Sequence, residues 1–359
     1  MLQIGIVGLP NVGKSTLFNA LTKAAVPAEN YPFCTIDPAV GVVGVPDERL
    51  TKLSEFSKSE KTIPAAIEFV DIAGLVKGAS EGEGLGNQFL SNIREVDAIL
   101  HMVRFFDDPD VTHVHGEVNP VGDIEVINLE LAYSDREQIT KRKEKLVRDI
   151  RAGDKEAVAE DEVLTKILAS LNEGKLAISA GLSKEEAKRV KHLNLLTLKP
   201  MLYALNGKLG GVISDERVQK TYDYISSLNS QYVHVDARTE HELNDVEDKD
   251  SFRKELGAEV DGLYELIRGA YSTLGLITFF TTGPKESRAW TVTKGSLAPD
   301  AGAAIHNDFK EKFIRAEVVA WDTLLSSGSW SAARDQGKIR TEGKTYEVAD
   351  GDVMVFLHS

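Results

Sequence analysis

The fold this chain predicts is an α/β nucleotide-binding domain with an inserted helical hairpin, followed by a small α+β domain of the β-grasp type, and three observations carry it. Strand-length apolar runs alternate with helical stretches early in the chain and again from residue 200. Between them, from about residue 123 to 191, charged residues crowd around sparse apolar positions at helical spacing. From residue 277 onward, short β-branched and aromatic runs flank one helical stretch. A length of 359 residues suits two or three domains with ample material for a core.

The elements follow in order. Ile4-Gly5-Ile6-Val7 is short enough for a buried strand, and Leu17-Phe18-Asn19-Ala20-Leu21 fits the first helix. Between them stands Gly8-Leu9-Pro10-Asn11-Val12-Gly13-Lys14-Ser15-Thr16, the spacing of a P-loop in its required strand-to-helix context. Gly8 and Gly13 let the backbone curl so that successive N–H groups point at phosphate oxygens, and the helix N-terminus adds partial positive charge. Lys14 is expected on the β- and γ-phosphates and Ser15 on Mg²⁺, with residues 11–16 forming the phosphate cradle: Asn11, Val12, Gly13, Lys14, Ser15 and Thr16. The ligand class is a nucleoside triphosphate.

Further strands are expected at residues 40–45, 66–71 and 98–103. In the charged region Ile139, Leu146 and Ile150, then Leu164, Ile167, Leu168 and Leu171, recur at helical or heptad spacing, which reads as a helical hairpin. Gly153-Asp154 and residues 174–181 are breaks, and Ser183 with Glu186 makes a capping box opening another helix. Alternation resumes with a strand at 200–204, a helix at 217–228 and a strand at 232–236. The hairpin is therefore an insertion, and the expected division is 1–128 and 194–277 for the nucleotide-binding domain, 129–193 for the insert and 278–359 for the last domain. There, 277–281 and 290–292 read as a hairpin, 301–313 as a helix, and 318–321, 346–348 and 353–356 as strands, with Gly351-Asp352 turning into the last.

Two switch elements sit downstream of the P-loop. Thr35 lies about 20 residues past Lys14, where a nucleotide switch places a threonine that sees Mg²⁺ and the γ-phosphate. Asp71-Ile72-Ala73-Gly74 follows a strand and fits Asp-x-x-Gly, with Asp71 holding magnesium and the Gly74 N–H meeting the γ-phosphate. The next residue, Leu75, stands where a glutamine would orient the attacking water; it has no donor or acceptor, so slow intrinsic hydrolysis is expected. Gly78, Gly82, Gly84 and Gly86 make the following segment one that can order when nucleotide binds. A guanine-specific site needs Asn-Lys-x-Asp, whereas this chain has Asn206-Gly207-Lys208-Leu209. Leu209 cannot accept guanine N1–H and N2–H₂, at a cost of about 1–3 kcal/mol in a partly buried site. Asn206 offers an acceptor and a donor to adenine, with Gly207 beside it.

Composition narrows the setting. A net charge of −14 argues against a generally nucleic-acid-coating surface while leaving room for a local basic face. The single cysteine, Cys34, excludes an intramolecular disulfide and suits a reducing compartment. No run approaches the roughly 20 apolar residues that cross a bilayer. The N-terminal run reads as a strand and not a signal peptide, so a cytoplasmic, monomeric protein is expected.

Long segments together resemble the YchF-type, Obg-like ATPase family. They are the P-loop with Asn11, Asn-Tyr-Pro-Phe-Cys-Thr-Ile-Asp-Pro around Thr35, Asp-Ile-Ala-Gly-Leu-Val-Lys-Gly-Ala-Ser from Asp71, Val118-Asn119-Pro120 and Asp123-Ile124-Glu125-Val126-Ile127. Near the C-terminus, Lys285 to Thr291, Phe313 to Val318 and Asp350 to Met354 look like the family's ubiquitin-like TGS domain. The resemblance runs nearly end to end. It implies ATP as substrate with Mg²⁺, a hydrophobic residue at Leu75, and ribosome-linked roles in translation or stress response. It also implies Asn11 as a candidate ligand for a monovalent cation, K⁺, and His113 as a candidate helper of water attack. Family members usually carry Asn-x-x-Glu at the base loop and a small residue before alanine where Asp236-Ala237 stands, so Leu209 and Asp236 are departures, and strict rejection of GTP does not carry over.

Three functions stay open from sequence: a slow ATPase switch acting on a ribosomal particle and stimulated by a partner or potassium; an Obg-type GTPase; and a nucleotide-sensing binding module with negligible turnover. On the last domain's helix, His306, Lys310, Lys312 and Arg315 are candidate contacts for RNA phosphate, with a solvated face as the alternative.

Overall fold

A computed structural model of the chain describes residues 2–23, 39–72, 85–106, 118–208, 215–244, 246, 248, 251–253 and 261–358, with the side chains of 85–88 and 215 excepted. The first sheet has six strands in the order β2 (Val40–Val45), β4 (Ala65–Asp71), β1 (Gln3–Val7), β5 (Ala98–Arg104), β6 (Met201–Asn206) and β7 (Gln231–Val235). β2 runs antiparallel to β4, and the remaining pairs are parallel. A parallel sheet carries helices on both faces, so its central strands are apolar throughout; every residue of β5 and of β6 is buried. Parallel pairing also gathers the strands' C-terminal ends at one edge: Ile6 lies opposite Asp71, Val7 opposite His101, and Arg104 opposite Asn206.

Helix α4 (Pro120–Arg151) runs from the first sheet's core, which holds its Ile124 and Ile127, into the insert; its Asn119 cap accepts from the Gly122 N–H at 3.2 Å and its proline sits at the first helical position. It turns at residues 152–154 into α5 (Lys155–Asn172), capped by Asp154. The two helices enclose a core of their own: Ile139, Leu146, Leu164, Ile167 and Leu171 are buried, and Ile150 and Leu168 pack against them. Each such fully buried side chain contributes about 1.5–3 kcal/mol, so this stripe holds the hairpin together. The Ser183–Glu186 capping box opens α6 (Lys184–Val190) as expected.

The second sheet has the order β11 (Arg340–Glu342), β10 (Phe313–Ala320), β12 (Asp352–His358), β8 (Leu276–Thr282), β9 (Glu286–Thr293) and β3 (Lys61–Ile63). Its last-domain strands have β12 in the middle, parallel to β8 and antiparallel to β10, which is the β-grasp arrangement. The expected helix over 301–313 is instead two: Ala298–Ile305 and Asn307–Glu311 flank His306, whose extended backbone and Nδ1, accepting from the Asp308 N–H at 3.2 Å, end one helix and start the next. Phe313 opens β10, where its aromatic ring enters the sheet's core. Trp321 starts a short helix, Trp321–Ser327, and does not extend the strand. The 346–348 segment forms no ladder; Tyr346 and Val348 bond to Ala298 and Ser296 across one isolated bridge between Leu297 and Glu347.

The strand β3 was not expected. It lies in the chain between β2 and β4 of the first sheet and adds to the edge of the other sheet, parallel to β9. Beside it Ser59 bonds Ser287 at 2.7 Å, and Thr282 donates to Ser57 at 2.7 Å. Arg49, on the helix Glu48–Ser57, bridges Asp47 and Asp350 with its guanidinium 5.2 Å from the Phe280 ring. Among the described residues, no helix is long and apolar enough to cross a membrane.

Candidate functional site

The P-loop leaves β1 against the backbone of β5: a Cβ on Gly8 would lie 2.5 Å from the Met102 carbonyl oxygen, so only hydrogen fits. Asn11 sits exposed at φ 60°, a left-handed conformation asparagine tolerates better than most side chains. Gly13 has φ 97°, and a Cβ there would meet Asn206 Nδ2 at 2.5 Å. Val12 is buried beneath the loop. Helix α1 (Lys14–Lys23) then starts with the Leu17 N–H donating to the Gly13 carbonyl, with Ser15 exposed and Thr16 half-buried on its first turn. The first N–H groups of a helix have no intrahelical partner, and at the end of a P-loop they are donors for phosphate.

Lys14 Nζ donates to the Gly8 carbonyl at 3.0 Å and the Leu9 carbonyl at 2.8 Å. Its ammonium is lowered from the usual lysine value by burial, with Asp71 opposing the shift. Asp71, half-buried at the end of β4, is raised by burial, with Lys14 opposing. Each charge is disfavoured by its surroundings and supported by the other. His101, on β5 opposite Val7, is fully buried; burial, then the Lys14 charge, pushes it down to about 3. Its ring lies 5.2 Å from that of Tyr203, and Nδ1 has no hydrogen-bond partner among the described residues.

Asn206 ties three segments together. Its Nδ2 donates to the Val12 carbonyl at 2.7 Å, and its Oδ1 accepts from the Ala237 N–H at 3.0 Å. Both ends of the amide thus have backbone partners, leaving one amide hydrogen and one lone pair. Gly207 follows with its N–H on the Val235 carbonyl, packed against the Phe105 backbone so closely that no side chain fits. Asp236, read from sequence as a departure, caps helix Ala237–Leu243 by accepting from the Thr239 N–H at 3.1 Å.

The structure therefore brings Asn11, Val12, Gly13, Lys14, Ser15, Thr16, Asp71, Asn206 and Gly207 to one edge of the first sheet. Thr35, Gly74 and His113, with Cys34, Leu75 and Leu209, lie outside the described residues. The proposed basic helix face is not one face: His306 is the break, Lys310 pairs with Asp300 at 2.8 Å, Lys312 faces Asp308 at 3.8 Å, and Arg315 stands on a strand. Sequence reasoning missed His101 and Ala237. A histidine inside the otherwise apolar run 98–103 was the available signal for the first; the second acts through a main-chain N–H and had none.

A family model described as 50S ribosome-binding GTPase matches residues 3–147. A second, named for the C-terminal part of YchF GTPases and described as a protein of unknown function, matches residues 276–359. The chain is 50% identical over 360 residues to the Bacillus subtilis protein named "Ribosome-binding ATPase YchF", covering 99% of this chain and 98% of that one. It is similar to the solved structure of the Schizosaccharomyces pombe YchF GTPase, with a TM-score of 0.86 at 35% identity over 99% of this chain and 97% of that one. A GTP binding protein from Pyrococcus horikoshii, 19% identical with a TM-score of 0.63, covers 100% of both chains and shows the shared fold. With half its residues identical across almost the full length of a relative, the chain belongs to the YchF family.

Proposed function

We propose that this protein is a ribosome-binding ATPase that works as a nucleotide-dependent switch in the cytoplasm, as a monomer. One observation carries the reading: the P-loop ammonium of Lys14 is parked on carbonyls of its own loop beside Asp71, in a chain whose relatives bear the name ribosome-binding ATPase. On binding ATP, Lys14 exchanges the Gly8 and Leu9 carbonyls for β- and γ-phosphate oxygens, while the P-loop N–H groups of residues 11–16 take the rest. The oxygen donors suit a hard divalent cation: an exposed Ser15 hydroxyl and a half-buried Asp71 carboxylate, with Thr35 completing the set. Mg²⁺ held there neutralises charge on the phosphates.

Gly74 offers its N–H to the γ-phosphate, and His113 assists the attacking water. Asn11 is the candidate ligand for K⁺, which together with the ribosome stimulates a slow intrinsic turnover. Asn206 and Gly207 shape the base side; the remaining amide hydrogen and lone pair of Asn206 match adenine N7 and N6–H₂. Residues 1–128 with 194–277 form the nucleotide-binding domain, 129–193 the hairpin and 278–359 the module, and the hairpin or the module meets the ribosomal particle.

The Schizosaccharomyces pombe relative is named a GTPase, so base choice is the point to test. Titrating the protein with non-hydrolysable ATP and GTP analogues in potassium buffer with Mg²⁺ should show tighter binding of the adenine nucleotide. Clear guanine preference overturns the ATPase reading. Single-turnover hydrolysis with and without ribosomes should differ; equal, negligible rates would leave a sensing module instead.

A further inference from the structure

We propose that the last domain is coupled to the nucleotide site through the chain that crosses from β2 to β4, so that bound ATP tightens its docking, a proposal that rests on the ATP reading above. Helix α2 (Glu48–Ser57) and β3 join two neighbouring strands of the first sheet, yet they pack with the other sheet. α2 lies on β8, β9 and the helix Trp321–Ser327, and β3 pairs with β9. Leu50 and Leu53 of α2 are buried in a core that also holds Phe280, Ala289, Val319 and Val353. Polar contacts close the same seam: Ser59 Oγ donates to the Gly283 carbonyl at 2.8 Å, and the Glu60 N–H donates to the Pro284 carbonyl at 2.9 Å. α2 and β3 are therefore held to the last domain, although both ends of their segment run into the first sheet.

Those joins are short. Only Pro46 and Asp47 separate β2 from α2, and Pro64 alone separates β3 from β4. From there the two strands run as an antiparallel pair, Val45 opposite Ala65, towards the nucleotide edge, where the Asp71 N–H donates to the Ala39 carbonyl at 2.9 Å. In sequence, Thr35 precedes Ala39 by four residues and Gly74 follows Asp71 by three. The residues expected on the γ-phosphate and its cation thus adjoin one end of this pair, and the docked domain hangs from the other. β2 also packs hard against the helix that follows the P-loop: a Cβ on Gly41 would stand 2.9 Å from the Thr22 methyl, so α1 and β2 shift together. A ligand that orders one end of a strand pair leaves less freedom at its other end, and a contact made there then costs less entropy. Such coupling is reciprocal in free energy.

The test is amide hydrogen exchange of the full chain with and without adenylyl imidodiphosphate and Mg²⁺, after a titration has established saturating binding of the analogue. Exchange across Lys61–Ile63 and Glu286–Thr293 should slow about five-fold or more, the lower end of ordinary coupling between sites. β11, at the opposite edge of the same sheet, should change less. Inserting Gly-Gly-Ser between Val45 and Pro46, and again between Pro64 and Ala65, slackens both joins and removes none of the docking contacts. In that chain the analogue should still bind, and the slowing at β3 and β9 should fall below about two-fold, because flexible linkers transmit little constraint. Saturable binding with unchanged exchange, slowing no greater than at β11, or full slowing in the slackened chain would each overturn the coupling and leave the ATP reading standing. Failure of the analogue to bind the native chain would overturn both.

Discussion

Lys14 and His101 show how single side chains set the site's behaviour. The two hydrogen bonds that Lys14 makes to its own loop are offset by the cost of burying its ammonium, so Lys14→Met should leave the unfolding midpoint almost unchanged while reducing ATP turnover by roughly a hundred-fold or more, as loss of a phosphate-directed cation does. Unchanged single-turnover rates would remove Lys14 from the phosphate. His101 makes stability depend on pH. Folded, it takes a proton only near pH 3; unfolded, near 6.5. Above 6.5 both states are neutral and the residue is silent. Between those values the unfolded chain binds the extra proton, so stability falls as pH drops, by up to about 1.4 kcal/mol per unit from this group. Urea unfolding of His101→Gln should show a shallower loss between pH 6.5 and 4.5 than the native chain; parallel profiles would mean the imidazole titrates normally.

Between elements, two joints carry separable loads. The capping box on α6 is local: Ser183→Ala removes one orphan N–H partner and should cost about 1 kcal/mol by denaturant unfolding. Asp135 instead joins α4 to the chain leaving the hairpin. Fully buried, it accepts from the Leu196 and Thr197 N–H groups at 2.9 and 2.7 Å and from the Thr197 hydroxyl at 2.7 Å, with Arg94 3.5 Å away. Asp135→Ala strands those donors and leaves the Arg94 charge without its carboxylate, so a loss of about 3 kcal/mol is expected. A loss no larger than that of Ser183→Ala would show that water replaces the carboxylate freely. Arg94 lies in the last turn of the helix Leu85–Glu95, so this joint also ties the hairpin to that helix.

Over the whole molecule, the last domain is docked and not merely tethered. β3 completes its sheet, hydroxyls of Ser57, Ser59, Thr282 and Ser287 interlock, and Arg49 joins Asp350. The Arg49 and Asp350 side chains are 24% and 50% exposed, so solvent screening limits their pair to about 1 kcal/mol. Arg49→Ala should therefore loosen the docking more than it unfolds either part, seen as faster limited proteolysis at the junction with only a small shift in thermal midpoint. An unchanged cleavage rate would place the docking strength in β3 alone.

Sequence by itself determined what is local. The strand 40–45 and the helix stripe through Ile139, Leu146, Leu164 and Ile167 were legible because periodicity and burial report the same fact. So were the Ser183 cap and the P-loop, whose spacing dictates its own backbone. What waited for the tertiary structure depends on partners distant in sequence. Three residues of β3 are too few to show a period and become a strand only because β9 offers an edge. Residues 346–348 look like a strand but turn to Ala298 and Ser296. Asn206 reads as a base contact from its loop alone; that its amide also ties Val12 to Ala237, segments 194 and 31 residues away, takes the fold to see. Lys14 and Asp71 come within each other's electrostatic influence because parallel pairing sets Ile6 beside Asp71, a register fixed by two whole strands and by no motif.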